Sequence, residues 1–442
     1  TYLVVGLGRF GSAVAQRLYE LGSEVMAVDL HPELVQKMES KVTCAAVCDA
    51  RDEDALRALG AGMIDKIFYF TSKNTTALAA LDAARNMSAS TGIRAVHITA
   101  KERICPVRLR DPMKCTPEVC PRARGHYGRV PDALAELVRS AHIYDADTIA
   151  EAAGRHSVCP YELSLDLSEA CDIVICDCNY LIDEAAYFRR YFEPGATDAR
   201  YVFLFDEAHN LLDRAKACYG GELRRSEIRR FLDEVRTVPK NAVCDALADL
   251  EFYIDSMREL CADSMEEDDA GAVHGFTTVH SFDKQLYDLL AAFDRAAAKY
   301  IRSPLCGSLP DHLYLLHDKV KKYLTAMELF DRCFVGTVTV HGDEVIAKIV
   351  CIDPSGQLAK KAARGRASIF FSATLTPLDY YATLYGAPDA AKLKLDCPYD
   401  RANLCVCIMD KLSVRYQFRS QNAAAVADAI MQTVSRRDGN YM

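Results

Sequence analysis

Apolar runs and amphipathic stretches alternate along the first hundred residues. "YLVVGLG" at 2–8 is an apolar run that ends in glycines, and Arg9 to Leu21 follows with Val14, Leu18 and Leu21 at helical spacing. "EVMAVDL" is a second apolar run, Pro32 to Ser40 a short helix and "VTCAAVC" a third strand. "DARDEDALRALG" opens on acids that suit a helix start and stops at Gly60. The pattern predicts a βαβαβ unit with a parallel sheet over residues 1–60. "KIFYFT" at 66–71 is another buried strand, followed by a helix at about 74–89 and a strand at "RAVHIT". Residues 101–160 break the rhythm and read as irregular. Strands resume at "DIVICD" and "YVFLFD", 211–330 reads as mostly helical, and "TVTV", "IAKIVCID" and "ASIFFSAT" read as later strands. The fold class is α/β. "KIFYF" is expected to serve as the fourth strand of the N-terminal sheet, because its apolar pattern suits a buried parallel strand.

Composition narrows the picture in three ways. The chain has 442 residues, room for several domains, and half of them are hydrophobic. No apolar run approaches the roughly 18 residues of a membrane span, so no membrane insertion is expected and the compartment is read as cytoplasmic. A net charge of −9 gives no global case for nucleic acid, yet Lys101 to Arg129 holds eight Lys or Arg against three Asp or Glu. "EEDD" at 266–269 is the opposite excess and reads as a solvated loop. The 18 cysteines lack the spacing of a small secreted framework, and most read as plain buried thiols, as at Cys351, Cys405 and Cys407.

Three groups of residues carry candidate chemistry. Gly6, Gly8 and Gly11 follow a strand and open a helix, the arrangement that brings backbone N–H groups against a pyrophosphate. Asp29 ends the next strand, where an acid accepts from a ribose hydroxyl; an adenine dinucleotide with a free 2′-hydroxyl, NAD(H), is the expected ligand. Cys105, Cys115, Cys120 and Cys159 lie in or beside the basic, proline-rich segment. Four thiolates there suit an iron–sulfur cluster; zinc or four unlinked thiols are the alternatives. "FLFDEAHN" at 203–210 places Asp206 and Glu207 at the end of a buried strand, with His209 just beyond. Adjacent carboxylates there suit a Mg²⁺–ATP site, the aspartate on the metal and the glutamate on the attacking water. Ser372 and Thr374 of "FFSATLTP" follow another buried strand.

"KIFYFTSKNTT", "ITAKERIC", "KCTPEVCPRARGHYGRV", "VCPYELSLDLSEACDIVICDCNYLID", "YVFLFDEAHNLLDRA" and "ASIFFSATLTPLDYY" together resemble the XPD/DinG-type iron–sulfur helicases of superfamily 2. The resemblance runs over about 60–442. It implies a RecA-like motor domain that uses ATP and Mg²⁺, carries a [4Fe–4S] cluster on the four cysteines, and moves 5′ to 3′ on single-stranded DNA in repair or replication. It implies that Asp206 holds Mg²⁺, that Glu207 activates water, and that His209, Ser372 and Thr374 couple the nucleotide and DNA sites. Thr71, Ser72 and Asn74 would touch the DNA backbone. Residues 1–60 instead resemble the RCK domain of TrkA/KtrA-type potassium-transport regulators, which implies NAD(H) or adenine-nucleotide binding with Gly6, Gly8, Gly11, Asp29 and Asp49 at the motif positions and, as an alternative function, an ion-transporter regulatory subunit.

The implied division is a partial RCK unit at 1–60 and the start of motor domain 1 at 61–100. An iron–sulfur domain follows at 101–160, then motor domain 1 with the DEAH box at 161–215 and a helical arch at 216–345. The end of motor domain 1 at 346–380 and the start of motor domain 2 at 381–442 complete it. No G-x-x-x-x-G-K-[ST] stands anywhere in the chain, and Ser12 occupies the lysine's place in "GLGRFGS". The expectation is a fused chain, joined near "RALGAGMID", with an incomplete N-terminus, and ending before the second motor domain's arginine motif. Such a chain would be inactive in hydrolysis.

Overall fold

The computed structural model describes residues 2–22, 24–50, 52, 64–71, 73–107, 115–193, 200–235, 242–268, 271–301, 312–395 and 408–435. Two units divide at Ala391, and each is described by itself.

The N-terminal run folds as read. Strands β1 (Tyr2–Val5), β2 (Val25–Asp29) and β3 (Cys44–Val47) form a parallel three-stranded sheet in the order β1-β2-β3. Helices α1 (Arg9–Glu20) and α2 (Pro32–Met38) pack on it. Its own small core joins Leu7, Ala15, Val25, Ala27, Val35, Met38 and Val42. Leu18 packs against this core, whereas Leu21 is exposed. The helix expected over 49–60 lies outside the described residues, Asp49, Ala50 and Asp52 apart.

The expectation for "KIFYF" is overturned. Strand β4 (Lys66–Phe70) does not join β1–β3. With β5 (Ala95–His97), β6 (Ile143–Tyr144), β7 (Ile173–Cys176), β8 (Tyr201–Phe205) and β14 (Ala367–Phe370) it makes a six-stranded parallel sheet, ordered β14-β8-β4-β7-β5-β6. Two specific partners explain the choice. Phe68 is fully buried and meets Tyr191, Phe192, Tyr201 and Phe203, all from the later chain. The Lys66 ammonium is buried and donates to the Ser168, Glu169 and Cys171 carbonyls at the end of helix Pro160–Leu167 and the turn beyond it. An ammonium taken from water needs such acceptors, and burial still lowers its pKa despite the facing Cys171 and acids. An apolar strand pattern announces burial but not which sheet supplies it.

Two other segments are more regular than read. Residues 126–155 hold helices His126–Ser140 and Ala146–Arg155 around β6. The stretch read as mostly helical supplies three strands of a five-stranded antiparallel sheet, and the runs read as strands at "TVTV" and "IAKIVCID" supply the other two. The sheet comprises β9 (Gly221–Arg224), β10 (Glu266–Glu267), β11 (Val273–Val279), β12 (Phe334–His341) and β13 (Glu344–Cys351), ordered β10-β11-β12-β13-β9. One continuous core runs beneath this sheet and the six-stranded one. The second unit contributes the helix Arg419–Val434.

Lys66→Met keeps the side-chain length and strands the three carbonyls. It is expected to cost about 1–3 kcal/mol and to lower the thermal unfolding midpoint followed by circular dichroism. An unchanged midpoint would mean that water satisfies those carbonyls.

Candidate nucleotide and nucleic-acid site

Strands β8 and β14 run parallel in register, Phe203 beside Ser368 and Phe205 beside Phe370. Their C-terminal ends therefore finish level. Phe371 N–H donates to the Phe205 carbonyl at 3.0 Å, and Ala208 N–H to the Phe371 carbonyl at 3.1 Å. Phe370 stacks between Phe205 and Tyr385, at 4.6 Å from each ring. The buried Tyr385 hydroxyl donates to the Ala208 carbonyl at 2.7 Å. These contacts fix the turn after β8 against the turn after β14.

On that base the predicted residues converge. Asp206 N–H donates to Phe70 O at 2.9 Å, which holds the turn to β4 as well. Asp206 Oδ1 accepts the Glu207 N–H at 2.7 Å and Oδ2 accepts the Tyr69 hydroxyl at 2.7 Å. Burial, with the Asp206 carboxylate beside it, raises the Tyr69 pKa and keeps the phenol a donor. A carboxylate has lone pairs beyond those two bonds, so Asp206 can still meet a cation. Glu207 has φ +50°, in the left-handed region that a non-glycine residue enters at a cost of about 1–2 kcal/mol. His209 Nδ1 lies 2.7 Å from Ser372 Oγ, 3.1 Å from Thr374 Oγ1 and 3.4 Å from Glu207 Oε2. Ser372 Oγ accepts the Thr374 N–H at 3.2 Å and donates to Glu207 Oε2 at 3.4 Å. With its hydroxyl proton used on Glu207, Ser372 accepts from His209, which places a proton on Nδ1.

Two residues here were missed in the sequence. Tyr69 sat unnoticed inside an apolar strand, where alternation could have marked it as pointing away from Phe68 and Phe70. Lys73, in the "TSKNTT" turn, places Nζ 3.4 Å from Glu207 Oε1. Of the residues expected to touch DNA, Thr71 is buried and its hydroxyl is paired with that of Thr76. Asn74 opens helix α3 (Asn74–Thr91), and Ser72 lies outside the described residues.

The glycine loop is a separate site. Gly6 has φ +87°, which suits only glycine without strain, and a Cβ on Gly11 would overlap the Gly6 carbonyl. A Cβ on Gly8 would meet nothing within 4 Å, so the loop faces open space where a phosphate would approach. Asp29 Oδ2 accepts the Leu7 N–H at 2.5 Å, and Oδ1 accepts from His31 N–H at 2.8 Å and faces His31 Nδ1 at 2.9 Å. Burial pulls against these bonds, but they win and lower the Asp29 pKa. The carboxylate thus braces the loop. Asp49 follows β3, and its carbonyl accepts the Asp52 N–H at 2.8 Å.

Cys105, Cys115, Cys120 and Cys159 are all free thiols. Among the described residues no three His, Cys, Asp or Glu side chains are gathered closely enough to hold a metal. The setting suits an anionic sulfur group nonetheless. Burial would lower the Lys101 pKa, but the Cys115 sulfur bonded to it and Cys159 nearby raise it. His126 is 4% exposed, its Nδ1 accepts the Cys159 N–H at 3.3 Å, and its buried Nε2 has no partner.

Two segments of the chain match known families. Residues 2–104 match the TrkA-N domain family and residues 71–228 the DEAD_2 family. Together the two matches span residues 2–228. It is 27% identical over 124 residues to the human regulator of telomere elongation helicase 1, covering 28% of this chain and 10% of the relative. The regulator of telomere elongation helicase 1 homolog of Culex quinquefasciatus is 24% identical over 225 residues, covering 47% of this chain and 22% of its own. The Ktr system potassium uptake protein A of Bacillus subtilis is 41% identical over 59 residues, 13% of this chain and 27% of the relative. The chain therefore spans a minor part of each. A solved structure described as "Truncated XPD" covers 87% of this chain and 98% of its own at 12% identity and TM-score 0.49, a likeness that adds nothing to the sequence matches. The two family matches overlap at 71–104, which holds helix α3 and strand β5 of the six-stranded sheet. No described helix is long and apolar enough to cross a membrane.

Proposed function

We propose that the chain carries the DEAH half of an ATP-dependent 5′–3′ DNA helicase motor of the XPD type. The observation that supports this best is the linked set of Glu207, His209, Ser372 and Thr374 at the level ends of β8 and β14. Asp206 would hold Mg²⁺, which supplies charge neutralisation on the phosphates. Glu207 would take up the proton of an attacking water, and its Ser372 and His209 contacts orient it. In the turn after β4 the exposed Lys73 would face single-stranded DNA, while the buried Thr71, its hydroxyl paired with that of Thr76, would hold the turn. No G-x-x-x-x-G-K-[ST] cradle is present in the sequence, so Asp206 lacks a partner that presents phosphates to it. The four cysteines at 105, 115, 120 and 159 would hold a [4Fe–4S] cluster, with Lys101 and the unpartnered His126 N–H offsetting its charge. The division at 61–100, 101–160, 161–215, 216–345 and 346–380 follows from the same reading, as does a role in DNA repair or replication. The compartment would be cytoplasmic.

A second reading covers the front end. The open space at Gly8 and the braced loop suit NAD(H) binding of the RCK type, and with it a regulatory role in potassium transport. The overturned placement of β4 leaves this site on three strands, so weak affinity is expected.

Single-stranded DNA should bind with an affinity that falls as salt rises, while ATP hydrolysis stays near background with or without DNA. DNA-stimulated turnover of about 1 s⁻¹ or more that Glu207→Gln abolishes would reveal a phosphate cradle elsewhere in the chain.

Anaerobically purified protein should show broad absorbance near 400 nm and about four irons per chain, and Cys105→Ser should abolish both. Stoichiometric zinc without iron would assign the thiols differently.

Calorimetry should show NADH binding more tightly than NADPH, because Asp29 repels a 2′-phosphate. Equal affinities, or binding that survives Gly8→Val, would make the loop structural only.

A further inference from the structure

Glu207 has its two oxygens committed to different neighbours. Oε2 faces His209 Nδ1 and Ser372 Oγ, both at 3.4 Å. Oε1 faces the Lys73 ammonium at 3.4 Å. Lys73 comes from another element. It is the extended residue (φ −117°, ψ 136°) just before α3, in the turn read as facing the DNA backbone. Its side chain is 54% exposed and Glu207's is 27% exposed, so the lysine reaches from solvent into the site. The helix it precedes has no acidic residue in its first turn, so no carboxylate there competes for the ammonium.

An ammonium is a compact point charge on a flexible stem. It cannot keep full contact with Glu207 and with a phosphodiester at once. We propose that Lys73 is shared between Glu207 and the backbone phosphate of a bound single strand. A strand that engages Lys73 takes the ammonium from Glu207. The carboxylate, relieved of its cation, is left to His209 and Ser372. Lys73 is then a positioning residue through which strand contact reaches the group that handles water. The inference rests on the single-stranded DNA reading above and adds to it a residue and a direction of coupling.

Linkage fixes the sign. Whatever the ion pair contributes to the free protein is lost when DNA takes the lysine, and the coupling is reciprocal. Neutralising Glu207 must therefore tighten DNA binding, but only while Lys73 is present. Exposed ion pairs are weak, so the expected effect is about 1.5- to 5-fold in affinity.

The test is fluorescence anisotropy with a labelled oligothymidylate at low salt, on the full chain, in the wild type, Glu207→Gln, Lys73→Met and the double variant. Both positions are at the surface of a turn, and circular dichroism checks that each variant folds. Glu207→Gln is expected to bind about 1.5- to 5-fold more tightly. Lys73→Met should bind more weakly, with its salt slope reduced by about one, and the double variant should match Lys73→Met. Equal tightening by Glu207→Gln in both backgrounds would mean a general charge effect and would overturn the sharing. Unchanged affinity in Glu207→Gln would overturn it too. Absence of binding by the wild type would instead overturn the DNA reading itself.

Discussion

The site depends on one constraint: two parallel strands from distant parts of the chain must end at the same level. Phe370 stacked between Phe205 and Tyr385 enforces it. A shift by one residue would turn every side chain of β14 to the other face and remove Ser372 and Thr374 from His209. The aromatic stack lies directly under the polar network, so apolar packing that favours the sheet also sets hydrogen-bond distances in the site. Tyr385 extends the same control by holding the Ala208 carbonyl inside the DEAH turn.

Much of this was legible in the sequence. Each of β4, β5, β7, β8 and β14 falls on an apolar run, and the acids and hydroxyls follow β8 and β14 immediately. Position just past a buried parallel strand is enough to bring such residues to one edge of a sheet. What the sequence could not supply was the partner of each strand. "KIFYF" carries the same apolar signal whichever sheet takes it. Its allegiance is decided by Lys66, which needs the carbonyls at 168, 169 and 171, and by Phe68, which needs rings at 191, 192, 201 and 203. Strand β9 is four residues long and pairs with β13 more than a hundred residues later, a separation that local pattern cannot detect. Lys73 looked like an ordinary turn residue because its partner is supplied by the DEAH turn.

The overlap of the two family matches has the same origin. Residues 71–104, matched by both families, hold helix α3 and strand β5, a local pattern that does not tell which sheet takes the strand. Hydrogen bonding decides it: β1–β3 close among themselves, and β4 and β5 bond to β7, β8 and β6. The glycine loop keeps its form without a fourth strand because Asp29 holds it from the end of the neighbouring strand.

Glu207 bears on how this site could decay. Its left-handed backbone is disfavoured for a glutamate and comfortable for glycine or asparagine. Random substitution at this position therefore does not run neutral. Replacement by glycine would relieve the strain and at the same time remove the contacts to Lys73, His209 and Ser372, so the backbone and the side chain pull in opposite directions at this position. The acid stands here against the backbone's own preference, held by its side-chain contacts.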